Sequence, residues 1–308
     1  MKKRLLDLLA CPDCKQELHM EQDVGSGEEL SEGILRCHAG HSFPVTRGIP
    51  RFVPAEFYAE SFGFQWNRFS KVQLDCHSNT TESEETFYEK TGFEPESLPG
   101  QLILDAGTGA GRFAEVLTRK KAEVVGIDLS TAIDAAYSNL GERPNVHLVQ
   151  ADIFHLPFKE RTFDRIFSIG VLHHTPDTRR AFESLVPLLK ANGEVAIWVY
   201  SRHSELRKIS DSMRWLTVKM PRRFLFYLST VAIPLYYLKP FRVIFQGVFR
   251  ICMHKSWRWR WLDTFDYFSP EFQWKHTYPE VFCWFQEAGL KDITVLPAPV
   301  SMKGRSTR

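Results

Sequence analysis

Between residues 100 and 200 short apolar runs alternate with longer mixed segments. LILDA, AEVVGID, VHLVQAD, FDRIFSI and GEVAIWV are runs of strand length, and amphipathic stretches such as RFAEVL lie between them. Strands alternating with helices in this way predict a parallel α/β sheet. In ILDAGTGAGRFAEV, residues 103–116, a glycine-rich turn joins the first strand to its helix. Residues 201–262 follow another pattern. Phe241, Ile244, Phe245, Val248, Phe249 and Cys252 recur at 3.6 residues, with Arg242, Gln246 and Arg250 on a different face, whereas WRWRW at 257–261 alternates with period two. No stretch reaches the roughly 20 apolar residues of a membrane-spanning helix. FLFYLSTVAIPLYYL at 224–238 comes nearest and contains Pro234.

Composition adds a charge asymmetry. The 308 residues are 44% hydrophobic, enough for one large domain and a small one, and carry a net charge of +2. From Arg202 to Arg260 there are thirteen Lys/Arg and two acids, Glu205 and Asp211, so the remainder is net acidic. Six cysteines in a chain this long do not make a disulfide scaffold; Cys11, Cys14 and Cys37 have metal-like spacing, while Cys76, Cys252 and Cys283 are scattered. The start, MKKRLLDLLAC, mimics a lipoprotein signal, but its apolar run is short and holds Asp7. The expected location is the cytoplasm, with contact at the inner face of the membrane open through 224–261.

The glycine loop does not fit a dinucleotide. G-x-G-x-x-G requires a third glycine where Arg112 stands; the pattern is D-x-G-x-G-x-G, through Asp105, Gly107, Gly109 and Gly111. A carboxylate at the strand end repels a pyrophosphate and attracts ammonium and sulfonium charges, which points to S-adenosylmethionine. From this loop onward the chain resembles class I S-adenosylmethionine-dependent methyltransferases of the type 11 group. The resemblance implies a Rossmann-like, seven-stranded α/β methyltransferase sheet. It implies that Asp128 takes the ribose hydroxyls and that Asp152 and Ile153 hold the adenine edge. It also implies that the fourth strand and its loop, with Gly170, pass the reactive methyl. Ala191-Asn192 replaces the usual proline-glycine pair before Gly193. Arg112 and Phe113 read as helix surface and core.

Cys11-x-x-Cys14 and Cys37-x-x-x-His41 form two clamps with the spacing of a tetrahedral zinc site. His38 directly follows Cys37 and would have to fold back to compete. With HSFPVTRGIPRFVP after it, this segment resembles the zinc ribbon known as the activator subunit of tRNA methyltransferases. A filled set of four protein ligands makes such a zinc structural.

The expected organisation is a zinc ribbon at 1–55, a helical leader at 56–99, and a methyltransferase domain at 100–308 with a helical lid insertion at 201–262. In the leader, Trp66 and Arg68 are candidates for the acceptor pocket, and an acidic stretch follows (Glu82, Glu84, Glu85, Glu89). In L-H-H-x-P-D, His174 is the candidate general base beside the methyl, with pocket shaping as the other role. The sequence reads as a methyltransferase for a small or lipid-linked metabolite, a sugar or quinone-like acceptor. The alternatives are an rRNA or tRNA methyltransferase, disfavoured by near-neutral charge, and a non-catalytic zinc-bearing adaptor.

Overall fold

The computed structural model describes residues 1–26, 29–53, 60–202 and 208–307. Five parallel strands form the centre of one sheet: β5 (Leu102–Ala106), β6 (Glu123–Asp128), β7 (Val146–Ala151), β8 (Phe163–Ile169) and β9 (Leu189–Trp198). β5 and β7 are buried at every position, as continuous apolar runs covered on both faces must be. Side chains alternate between the two faces. Leu102, Leu104 and Ala106 join one core, and Ile103 joins the other with Val124 and Leu148. β11 (Ser301–Arg305) runs antiparallel between β9 and the edge strand β10 (Lys291–Val295).

The sheet holds eleven strands rather than seven, because the ribbon continues it. β1 (Leu18–Ser26), β2 (Glu29–Cys37), β3 (Ser42–Thr46) and β4 (Ile49–Phe52) form an antiparallel meander. β4 then pairs in parallel with β7, Arg51 opposite Gln150 and Phe52 opposite Ala151. Met1, Leu5, Leu8 and Leu9 are buried in the same core as Leu104 and Phe163, and the Ala10 amide donates to the Pro157 carbonyl at 3.0 Å.

The leader places helices Glu60–Arg68 and Glu82–Thr91 over the carboxyl ends of the strands. Its acids are used within the fold. Asp75 accepts the Ser83 and Glu84 amides, both at 3.0 Å, at the start of the second helix. Glu84 pairs with Lys120 at 2.7 Å, and Glu82 with His254 and Lys255 at 2.9 and 3.0 Å.

The described residues of the insertion are mostly helical. The 3.6-residue pattern at 241–252 forms a helix only over Arg242–Gly247. WRWRW, for all its period-two alternation, opens the helix Trp257–Phe268. In the helix Trp257 and Trp261 are one turn apart and stack at 6.4 Å. Arg260 is buried, donates to the His254 carbonyl at 2.6 Å and lies 4.0 Å from the Tyr236 ring centroid. Phe69, Leu225, Phe226, Leu262 and Phe265 give the lid its own small core.

Candidate active site and metal centre

The carboxyl ends of β5, β6, β7 and β8, the leader and the lid enclose a cavity of about 410 Å³, within the size range of small-molecule sites. One wall is the glycine loop. Gly107 has φ +96°, and a Cβ there would lie 2.3 Å from a Val171 methyl, so no other residue fits this turn. Gly109 has φ +55° and its amide donates to Asp128 at 3.0 Å. Asp128 also accepts the Ser130 amide and hydroxyl at 2.8 and 2.7 Å. Each carboxylate oxygen has two lone-pair sites; Oδ1 takes both Ser130 bonds and Oδ2 the Gly109 one, so Asp128, which lines the cavity, keeps acceptor capacity on Oδ2. Burial raises its pKa above the usual carboxylate range.

Of the residues expected to hold a donor, Gly107, Gly109, Asp128, Ile153 and Gly170 line the cavity. Asp105 lies beneath the loop, buried, and accepts the Thr108 hydroxyl at 2.8 Å. Burial above all, and then Asp128 nearby, push its pKa up to about 7 against the Thr108 hydrogen bond. Gly111 caps the helix Arg112–Arg119 against Leu140. Asp152 turns away, accepting the Phe154 amide at 3.0 Å and facing His155 at 3.5 Å, so its flanking Ala151 and Ile153 form the wall. The cradle of small residues and the carboxylates suit a donor carrying positive charge.

His174 sits on the turn after β8, buried and lining the cavity. Its Nδ1 is 2.8 Å from the Phe272 carbonyl. A carbonyl only accepts, so Nδ1 carries the proton and Nε2 keeps its lone pair. Burial, opposed by that hydrogen bond, lowers its pKa to about 4. His173 is buried behind it, stacked on Tyr200 at 3.9 Å.

Several lining residues carry no sequence motif. Trp66 lines the cavity, whereas Arg68 lies over the Phe64 and Phe226 rings instead. Arg112 is not helix surface: it lines the cavity and donates from Nε to Ser83 at 3.0 Å. The leader contributes Lys90, whose ammonium lies 3.3 Å from the Trp198 ring centroid and whose pKa burial lowers to about 7. The lid contributes Asp263 and Asp266, one helical turn apart. Gln73 and Trp259 donate to Asp263 at 3.0 and 2.9 Å, and Gln65 donates to Asp266. Burial raises their pKa values to about 7 and about 6. Only the i, i+3 spacing of the two acids was visible in the sequence, and only once 257–268 is read as a helix.

At the other end of the molecule Cys11, Cys14, Cys37 and His41 converge, with their ligand atoms all within 4.8 Å of one another. Cys11 and Cys37 Sγ each lie 3.4 Å from His41 Nδ1, and Cys14 lies 3.6 Å from Cys37. Zinc bonds of about 2.3 Å to sulfur and 2.0 Å to nitrogen put tetrahedral ligand atoms about 3.5–3.8 Å apart, so this set fits zinc. His38 packs on His19 instead.

Comparison with known proteins finds a match for each of the two sites. Residues 104–197 match the family described as methyltransferase domain, and residues 2–48 match Trm112p-like protein. The glycine loop and the strands around it thus fall within the methyltransferase-domain match, and the Cys/His set falls within the Trm112p-like one. Among relatives, the domain is similar to the tRNA (carboxymethyluridine(34)-5-O)-methyltransferase of Arabidopsis thaliana. That match is 36% identical over 202 residues, 63% of this chain and 45% of the relative. The demethylmenaquinone methyltransferase of Thermobifida fusca is 29% identical over 123 residues, 39% of this chain and 52% of the relative. A solved phosphoethanolamine N-methyltransferase 2 from Haemonchus contortus aligns with TM-score 0.44 and 19% identity, over 69% of this chain and 37% of that one. The chain thus spans about half the length of the first two curated relatives.

Proposed function

We propose that this methyltransferase domain transfers the methyl of S-adenosylmethionine to a small or lipid-linked metabolite with a sugar or quinone-like acceptor group. The observation that carries the reading is the cavity. The donor constellation forms its floor, and a lid bearing Arg250, Asp263, Asp266 and Tyr267 forms its roof. An acceptor enclosed between them is small, or is the reactive end of a longer molecule.

When bound, the donor supplies an electrophilic sulfonium methyl. The chain's own residues bind and align. Asp128 takes the ribose hydroxyls, Ile153 flanks the adenine, and the buried Asp105 charge balances the positive donor. Holding acceptor and methyl in line provides most of the acceleration. For a hydroxyl acceptor, His174 takes the proton on Nε2, a role supported by the engagement of Nδ1 with the Phe272 carbonyl, with Asp266 as the second group able to do so. The ribbon's zinc is structural, its four positions filled by protein.

The second reading is a tRNA methyltransferase. It is supported by the 36% identical stretch shared with a tRNA-modifying relative and by the Trm112p-like ribbon. Calorimetry with S-adenosylhomocysteine tests both readings, and saturable binding is expected; a protein that never saturates is an adaptor. Labelled donor offered to metabolite extracts and to total tRNA then separates them. Label on tRNA, with affinity falling steeply in salt, would replace the metabolite reading.

A further inference from the structure

The helix Lys208–Thr217 is inverted for a helix in water. Its polar Ser210, Arg214 and Thr217 are buried. Arg214 donates to the Tyr267 and Pro270 carbonyls at 2.6 and 2.7 Å, and Thr217 to that of Phe268 at 3.1 Å. Its apolar Ile209, Met213 and Leu216, at i, i+4 and i+7, are 52%, 41% and 54% exposed. A stripe at that spacing ordinarily faces a core. The exposure continues through Phe224, Tyr227, Tyr237 and Phe241 to Val243, the last 81% exposed. Of eighteen large apolar side chains exposed among the described residues, fourteen lie between Ile209 and Ile244. Concentration on this scale marks an interaction surface.

Charge selects the partner. From Ser212 to Leu262 there is no Asp or Glu and there are ten Lys/Arg. Exposed Lys219, Arg223 and Lys239 stand among the apolar side chains. An anionic leaflet offers negative headgroups above apolar depth, and tyrosine and tryptophan favour that boundary. No single helix among the described residues is long and apolar enough to cross a membrane, and Arg222–Leu235 meets Lys239–Gly247 at 115°. Neither arm alone reaches the roughly 20 residues needed to span a bilayer, and an amphipathic helix too short to span can bury its apolar face at the surface.

We propose that the 208–247 face of the lid docks on an anionic bilayer surface. The same segment reaches the cavity: Phe241, Val243 and Ile244 are exposed, while Gln246, Arg250 and Ile251 line the cavity. A lid seated on lipid stands between the bilayer and the acceptor end of the site, so a lipid-linked acceptor has a short way in. That last step rests on the methyl-transfer reading; the docking itself does not.

The test is sedimentation of the full chain with phosphatidylcholine vesicles, with and without phosphatidylglycerol. Binding is expected with phosphatidylglycerol, weaker without it and weakened by salt. Arg223→Glu with Lys239→Glu should lower affinity for the anionic vesicles by a factor of roughly twenty or more, at about fivefold per basic residue removed. Tyr227→Asp with Val243→Asp, both at exposed positions, should abolish binding while the thermal melt and S-adenosylhomocysteine affinity stay unchanged. No binding, or binding indifferent to both pairs, overturns the docking. A wild-type dimer that dissociates in the Tyr227→Asp, Val243→Asp variant also overturns it, assigning the face to a second copy. Vesicle binding without any S-adenosylhomocysteine affinity keeps the docking and removes the methyl-transfer reading.

Discussion

Asp105 offers a test that separates what the site needs from what the fold prefers. Its carboxyl is buried, and its pKa stands at about 7 against an ordinary 3.8. A carboxyl whose folded pKa is raised holds its proton longer in the native state. Stability is therefore lost as pH rises from the unfolded value, and the loss is complete above the folded one. With 1.36 kcal/mol per unit, the full cost above pH 7 is about 4 kcal/mol, of which about 2–3 kcal/mol develops between pH 5 and pH 8. Asp105→Asn keeps an oxygen for the Thr108 hydroxyl and has no charge to bury. Urea unfolding of the two ligand-free proteins at pH 5 and pH 8 should show the Asn variant gaining on the wild type by about 2–3 kcal/mol over that interval. The other buried acids are common to both proteins and largely cancel. The variant should also bind S-adenosylmethionine more weakly, because the positive donor stabilises the charged form of Asp105. A stability gap that does not change with pH would refute the argument, since a purely steric effect of Asn has no such slope.

Other outcomes follow from the same geometry. Asp128→Ala should weaken donor binding by roughly tenfold to a hundredfold, the range for a lost charged hydrogen-bond acceptor; equilibrium dialysis showing unchanged affinity would remove its role. Cys14→Ser should lower bound zinc in metal analysis and loosen the ribbon, and full occupancy would count against the ligand set. His174→Ala should lower kcat by roughly a hundredfold if Nε2 takes the proton. With its pKa at about 4, the wild-type rate should be flat in the His174 titration from pH 6 to 8. A rate that instead rises around pH 6 and flattens in Asp266→Asn would move the base to Asp266.

The strand-helix alternation was legible because buried parallel strands are continuous apolar runs, and the glycine loop because only glycine tolerates the φ of Gly107. The zinc ligands could be read because two short turns carry all four. The cavity roof was not legible. Asp263 and Asp266 acquire meaning only from a helix that period-two WRWRW conceals. Lys90 reaches the site by the packing of a leader helix far from any motif. Arg112 looked like surface because arginines on a first helical turn usually are, yet the leader and lid close over it. Asp152 matched a family position, but its carboxylate accepts the Phe154 amide in its own turn and is not part of the cavity lining.

The junction between β4 and β7 has a bearing on handling the protein. β7 is buried along its whole length, and β4 occupies its open side through Arg51 and Phe52. Cutting away the first fifty-odd residues would bare a greasy row of unpaired amides and carbonyls, the kind of template on which neighbouring chains stack. The amino-terminal segment is thus a guard rail, and a truncated catalytic half should be expected to precipitate.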